Sequence, residues 1–200
     1  MLDAAMRRVI DPPLDRVGRR LAAAGVSADA ITIAGFAVGL LAIPLLAAQW
    51  YGPALAAILL NRLADGLDGA VARHTSLTDF GGYLDIVCDF IVYSGIPFGF
   101  ALARAENALP AAFLILSFVG TGTSFLAFAI LAAKRGRESD ARGRKSLYYL
   151  GGLTEGTETI AAFVAFCLFP GAFALLAYVF GALCWLTTAT RVATAYRSFG

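Results

Sequence analysis

Four aspartates, Asp65, Asp68, Asp85 and Asp89, fall within a 25-residue stretch of a chain that is 59% hydrophobic and only 15% charged. Asp65 and Asp68 are three apart and Asp85 and Asp89 four apart, so on helices each pair projects from one face. An aspartate at mid-membrane costs about 2.5 to 3.5 kcal/mol even on the lenient insertion scale, and clustered carboxylates also repel one another. A divalent cation offsets both costs. Hard oxygen ligands suit Mg²⁺, Mn²⁺ or Ca²⁺, and two ions about 3.5 to 4 Å apart would neutralise the cluster while clamping a phosphate. Zinc does not fit, because no second histidine or cysteine cluster accompanies His74.

The neighbours of the acids agree with phosphate chemistry. Gly66, Gly69, Gly81 and Gly82 permit close approach of a ligand to the backbone, although helix packing accounts equally well for Gly69 and Ala72. Arg73, one turn after Gly69, offers a planar bidentate grip on phosphate. Asn61, four residues before Asp65, falls on the same helix face and can share the cavity.

The elements that position these residues follow from the apolar runs. A membrane span needs about 20 predominantly apolar residues, and six candidates can be drawn, at 29–49, 52–73, 82–103, 108–133, 151–169 and 171–191. The fold class expected is therefore an all-α membrane protein, with residues 1–28 as a cytoplasmic or interfacial segment and 29–200 as a six-helix transmembrane catalytic domain. Pro12-Pro13 is a helix start signal, and Leu14, Val17, Leu21 and Ala24 recur at helical spacing opposite Arg16, Arg19 and Arg20. That stripe reads as an amphipathic helix on the inner leaflet; a solvated basic arm is the plainer alternative. The acids sit at the adjoining ends of spans two and three, joined by a turn of about eight residues from Arg73 to Phe80. Residues 1–20 lack the apolar core and cleavage site of a secretory signal. Cys88, Cys167 and Cys184 all sit inside apolar segments and read as packing thiols.

Basic residues set the orientation, since Lys and Arg near span ends stay on the cytoplasmic side. Arg7, Arg8, Arg16, Arg19 and Arg20 precede span one, Arg73 follows span two, and Lys134, Arg135, Arg137, Arg142, Arg144 and Lys145 link spans four and five. Arg191 and Arg197 end the chain, while Arg104 alone lies on the other side. Both termini and the acids are thus expected at the cytoplasmic face of a plasma or bacterial inner membrane. Two small-residue pairs, Gly35 with Gly39 and Gly95 with Gly99, have the spacing of close helix contacts and receive no functional weight. No nucleic-acid partner is expected.

The stretch Asp65-Gly66-Leu67-Asp68-Gly69-Ala70-Val71-Ala72-Arg73, followed by Gly81, Asp85 and Asp89, resembles the CDP-alcohol phosphatidyltransferase family. Its signature runs Asp-x-x-Asp-Gly-x-x-Ala-Arg, then Gly-x-x-x-Asp-x-x-x-Asp, and all eight fixed positions are matched. The spacer between Arg73 and Gly81 is seven residues, one fewer than the commonest family form. The resemblance implies six membrane helices, a homodimer, and transfer of a phosphatidyl or other substituted phosphoryl group from CDP-diacylglycerol to an alcohol, releasing CMP. It also implies that Asp65, Asp68, Asp85 and Asp89 bind Mg²⁺ or Mn²⁺, that Asp89 is the base, and that Asp65, Asp68, Gly69, Ala72, Arg73 and Gly81 contact the CDP group.

For the acceptor, Lys134, Arg135, Arg137, Lys145 and Arg191 lie near the inner face and can hold an anionic alcohol, such as glycerol 3-phosphate or an inositol phosphate. Equally, they serve as positive-inside anchors for lipid headgroups. Glu155 and Glu158, at the start of span five, either meet acceptor hydroxyls or are solvated. Two other classes compete with the enzyme. A divalent-cation transporter should place acids across the membrane's depth, whereas these lie at one end of two spans. A structural scaffold should tolerate alanine at all four aspartates.

Overall fold

The computed structural model describes residues 3–135 and 152–200. Among these the chain is helical with no strand: α1 (Asp3–Ala23), α2 (Ala28–Ala47), α3 (Tyr51–His74), α4 (Asp79–Ala103), α5 (Ala108–Lys134), α6 (Gly156–Leu168) and α7 (Phe173–Phe199), with 3₁₀ turns at Ala105–Asn107 and Pro170–Ala172. Four of these segments are long and apolar enough to cross a membrane: α2, α4, α5 with its preceding turn, and α7 with its preceding turn. α3 has the length, 24 residues or about 36 Å at 1.5 Å per residue, but carries Arg62, Asp65, Asp68 and Arg73. α6 has 13 described helical residues, about 20 Å against a hydrocarbon core of about 30 Å.

The expected start of the first helix is corrected by the structure. α1 runs through Pro12 and Pro13 instead of beginning there. A run of helix formers precedes the prolines, and it extends the helix back to Asp3 despite the backbone donors that proline removes. Of the apolar stripe, Leu14 and Leu21 are half-buried but Val17 and Ala24 are exposed. α1 meets α3 through Leu14, whose Cδ1 lies 2.7 Å from where a Cβ on Gly66 would stand, and through Gly18, where a Cβ would come 2.6 Å from that of Ala70.

α2 is the central wall, packed on both α3 and α4. The two glycine pairs, given no weight above, make this contact possible. A Cβ on Gly35 would stand 2.5 Å from that of Ala64, and one on Gly39 would stand 2.9 Å from Asn61 Cγ. Gly95 and Gly99 likewise admit Ile43 and Leu46. In membrane bundles such small residues replace the hydrophobic effect with close packing.

The turn between α3 and α4 is tighter than the eight residues expected, because α3 continues to His74 and α4 starts at Asp79. Thr78 caps α4, its Oγ1 accepting from the Gly81 amide at 3.0 Å. A side chain at position 81 would meet Thr78 Oγ1 at 2.9 Å and Asp29 Oδ1 at 3.1 Å, so the glycine lets the cap and α2 close together. The aromatic core lies toward the far end of the α3–α4 pair. There Phe100 stacks with Tyr51 (5.8 Å between ring centres) and Phe173 (4.3 Å) and meets Phe166 edge-on. Cys88, Cys167 and Cys184 are free and buried.

Candidate metal centre

The antiparallel return of α4 along α3 brings three of the four acids together. One carboxylate oxygen each from Asp65, Asp68 and Asp85 lie within 4.8 Å of one another. An octahedral Mg²⁺ or Mn²⁺ with bonds near 2.1 Å sets adjacent ligands about 3 Å apart and opposite ones about 4.2 Å apart, so this triad needs little movement to hold one. The cavity between the acids measures about 10 Å³ and is lined by Thr32, Asn61, Asp65, Asp68, Asp85 and Asp89 along with Gly35, Phe36 and Cys88. That is room for a single water-sized occupant.

Asp68 is the deepest of the set, at 6% exposure. Its Oδ2 accepts from Thr32 Oγ1 on α2 at 2.6 Å, and the same hydroxyl reaches the Ala28 carbonyl. A hydrogen bond to a charged group is worth about 1.5 to 3 kcal/mol, so Thr32 fixes which way this carboxylate faces. Asn61 donates from Nδ2 to the Gly35 carbonyl at 2.9 Å. It thereby spans the close α2–α3 contact and lines the cavity, as its spacing from Asp65 suggested.

Asp89 lines the same cavity and is also held by a cation. Its Oδ1 accepts from Arg62 Nη2 at 2.6 Å, and the Arg62 side chain is only 8% exposed. The guanidinium also donates to Tyr93 Oη at 3.0 Å and to Asn61 Oδ1 from Nε and Nη2. Its Nη1 stands 3.8 Å from Asp65 Oδ2. Neither Thr32 nor Arg62 was singled out from the sequence. Arg62 had a readable signal, a charge in an apolar run three residues before Asp65; Thr32, 36 residues from Asp68 along the chain, had none.

The glycines and Arg73 divide in function. Gly66 faces α1 and is filled by Leu14, so it serves packing. Gly69 is open: the nearest atom to a Cβ placed there is Arg73 Nη1, at 3.7 Å. Arg73 is exposed and lies 4.0 Å from Asp15 of α1, which also contacts His74 Nε2 at 2.9 Å. Beside the acids lies a second, larger cavity of about 270 Å³. Ser27 and Asp29 of the α1–α2 corner line it, together with Thr75, Ser76 and Thr78 of the next turn. Asp29 is one helical turn from Thr32, so α2 walls both cavities.

Of the basic residues considered for an acceptor, the described ones, Lys134, Arg135 and Arg191, line neither cavity. Lys134 is exposed. Arg135 donates to the carbonyls of Ser198 and Phe199 and lies over the Phe199 ring, tying α5 to the end of α7. Arg191 donates to the Thr121 carbonyl at 2.9 Å and lies over Phe125. Arg137 and Lys145 fall outside the described residues. Glu155 and Glu158 form a reciprocal capping box at the start of α6, with Glu158 Oε2 accepting from the Glu155 amide at 3.1 Å. They satisfy the orphan amides of a helix end, a use that neither earlier alternative included.

Residues 25–193 match a family model described as CDP-alcohol phosphatidyltransferase. Over 197 residues, the chain is 56% identical to the inner membrane protein YnjF of Escherichia coli, covering 98% of this chain and 96% of that protein. It is 38% identical over 102 residues to the archaetidylinositol phosphate synthase of Pyrococcus horikoshii, covering 48% of this chain and 52% of that one. The fold is similar to that of the Mycobacterium tuberculosis phosphatidylinositol phosphate synthase. In complex with manganese and citrate, that structure gives a TM-score of 0.68 at 20% identity over 92% of this chain and 88% of the other. In its CDP-DAG-bound form the TM-score is 0.66, over 92% and 93%.

Proposed function

Because the chain belongs to the CDP-alcohol phosphatidyltransferase family, we propose that it transfers a phosphatidyl group from CDP-diacylglycerol to a phosphorylated polyol, releasing CMP, at a divalent-metal centre on the cytoplasmic face of the membrane. The observation that carries the reading is the convergence of Asp65, Asp68 and Asp85 from the ends of two helices. The transporter alternative is not supported: the acids cluster at one end of α3 and α4, and the relatives with named activities are synthases.

Asp65, Asp68 and Asp85, with Asp89 lining the same cavity, supply the hard oxygen donors that Mg²⁺ or Mn²⁺ prefers, and two such ions would be held among them. When bound, the metal supplies charge neutralisation at the phosphoryl oxygens. Thr32 orients Asp68. Gly69 leaves the α3 surface open beside the acids, with Arg73 and Ala72 flanking the path of the donor's phosphates, and Gly81 keeps the α4 cap close to α2. The larger cavity, bordered by Ser27, Asp29, Thr75, Ser76 and Thr78, has room for the donor's nucleoside.

Asp89 takes the proton from the acceptor hydroxyl. As that O–H bond breaks, the oxygen bonds the phosphorus bearing the diacylglycerol, the pyrophosphate P–O bond breaks, and CMP leaves. Phosphoryl transfer depends on positioning and charge stabilisation more than on covalent chemistry, which suits a site built from rigid helix ends. A phosphorylated polyol is favoured by the names of the two synthases, and Lys134, Arg137 and Lys145 would pair with its phosphate, whereas Arg135 and Arg191 are already bonded to backbone carbonyls. In this reading α3 and α6 complete a six-helix membrane bundle, α1 rests on the inner leaflet, and the enzyme is a homodimer.

The test is a panel of acceptors, including glycerol 3-phosphate and inositol phosphate, supplied with CDP-diacylglycerol and Mn²⁺ to the purified protein. CMP release and the mass of the lipid product are read together. A phosphorylated polyol should support turnover, and Asp68→Asn should lower it about a thousandfold, equivalent to ~4 kcal/mol of transition-state stabilisation. Full activity in that variant removes the metal centre from the reading; an unchanged panel removes the donor.

A further inference from the structure

α1 lies before the residues that match the family model, 25–193, and none of its side chains belongs to the eight signature positions. It is nevertheless built onto α3 at two points. Leu14 fills the space beside Gly66, and Gly18 comes so close that a Cβ there would stand 2.6 Å from the Cβ and 2.9 Å from the carbonyl carbon of Ala70. Gly18 is buried, so any side chain in its place would push the two helices apart. Asp15 follows Leu14, and this packing delivers its carboxylate to the last turn of α3. There Oδ1 meets His74 Nε2 at 2.9 Å and lies 4.0 Å from Arg73 Nε. The Arg73 guanidinium is turned back along α3, with Nη1 3.7 Å from where a Cβ on Gly69 would stand, one turn nearer the acids. Asp15 therefore sits at the Nε side of the fork, while Nη1 lies over the surface that Gly69 leaves open.

We infer that Asp15 is a positioning residue for the donor: it holds the Arg73 guanidinium from the Nε side, so that the Nη groups meet the pyrophosphate of a CDP-linked molecule. The inference rests on the transferase reading above and adds to it a residue from outside the family signature. An arginine has a long stem with many rotamers, and its planar fork grips phosphate in two places only from a set orientation. His74 keeps the carboxylate in place, and the Leu14 and Gly18 contacts keep the helix that carries it. The side chains of Arg73 and Asp15 are 48% and 40% exposed, and exposed ion pairs contribute little to stability. What this one supplies is orientation. Water screens the repulsion between Asp15 and the donor's phosphates at such exposure, whereas a fork ordered beforehand loses less freedom on binding.

The test is calorimetric titration of CDP into the purified full chain with Mn²⁺, together with donor KM and kcat for CMP release. Asp15→Asn keeps an oxygen for His74 but removes the charge that faces Arg73. CDP should then bind about fivefold more weakly, equivalent to ~1 kcal/mol. Donor KM should rise by the same factor with kcat within about twofold, because the lost contact serves the bound donor and the transition state alike. Asp15→Glu should recover most of the affinity. In an Arg73→Gln background, Asp15→Asn should have no further effect on CDP binding, since the two residues act as one unit. A merely structural Asp15 lowers the thermal midpoint and leaves CDP affinity unchanged, or weakens it equally in both backgrounds, and either outcome overturns the inference. So does tighter CDP binding by Asp15→Asn, which makes the carboxylate a competitor for Arg73. The titrations need no turnover. A native protein that binds CDP but releases no CMP with any acceptor strikes the transferase reading alone, and the Asp15 variants still decide the role of this residue; a native protein that binds no CDP removes both.

Discussion

At one end of the antiparallel α3–α4 pair, Tyr51, Phe100, Phe166 and Phe173 fill the space with rings; at the other, four carboxylates and one guanidinium share it. The ends are separated along α4 by the 11 residues from Asp89 to Phe100, about 16 Å of helix. The aromatic end is held by close packing with one buried hydrogen bond, from Asn107 Nδ2 to the Phe100 carbonyl; it needs no counter-charge and tolerates rearrangement among apolar partners. The acidic end is held by directed bonds, Thr32 to Asp68 and Arg62 to Asp89, and an unpartnered group there costs more than a poor contact. The same two helices thus carry a rigid anchor and a chemically loaded tip.

The sharpest way to break this contrast is to damage the anchor and ask whether the tip still works. Phe100→Ala should destabilise the protein by about 3 kcal/mol or more through lost contacts and the cavity left behind, seen as a lower thermal midpoint in detergent. The folded fraction should keep its Mn²⁺ affinity. A large loss of metal binding in folded Phe100→Ala protein would show that the two ends are not separable.

A milder perturbation at the tip is Thr32→Val, which preserves shape and removes the donor to Asp68. CMP release should fall about tenfold, corresponding to ~1.4 kcal/mol, with thermal stability reduced by about 1.5 to 3 kcal/mol in metal-free protein. Saturating Mn²⁺ should recover part of that stability, because a ligand bound only by the folded state stabilises it. Unchanged turnover would reduce the Thr32 contact to simple packing. The smallest effect is expected away from both ends. Glu158→Ala removes half of the α6 capping box and should cost about 1 kcal/mol of stability, without altering acceptor KM. A change in acceptor KM would return Glu158 to the list of substrate contacts.

The acid pairs were legible because helical spacing of three and four residues needs no tertiary information, and because charge in an apolar run is costly enough to demand a reason. Most helix boundaries were legible from the same runs. What escaped belongs to contacts between distant segments. Nothing near Thr32 marks it as the partner of Asp68, and no local rule says that Gly66 is filled by Leu14 while Gly69 stays open. The pairing of Asp89 with Arg62 depends on Arg62, Asn61 and Tyr93 meeting in space. The prolines of α1 misled because a start signal at Pro12 competes with an equally good helix-forming run before it. Glu155 and Glu158 fit a cap as readily as a ligand site on spacing alone, and only the backbone of α6 decides between them.

In the reading proposed above, donor handling falls to the α1–α2 corner and to the facing ends of α3 and α4, and α5, α6 and α7 add no described residue to either cavity.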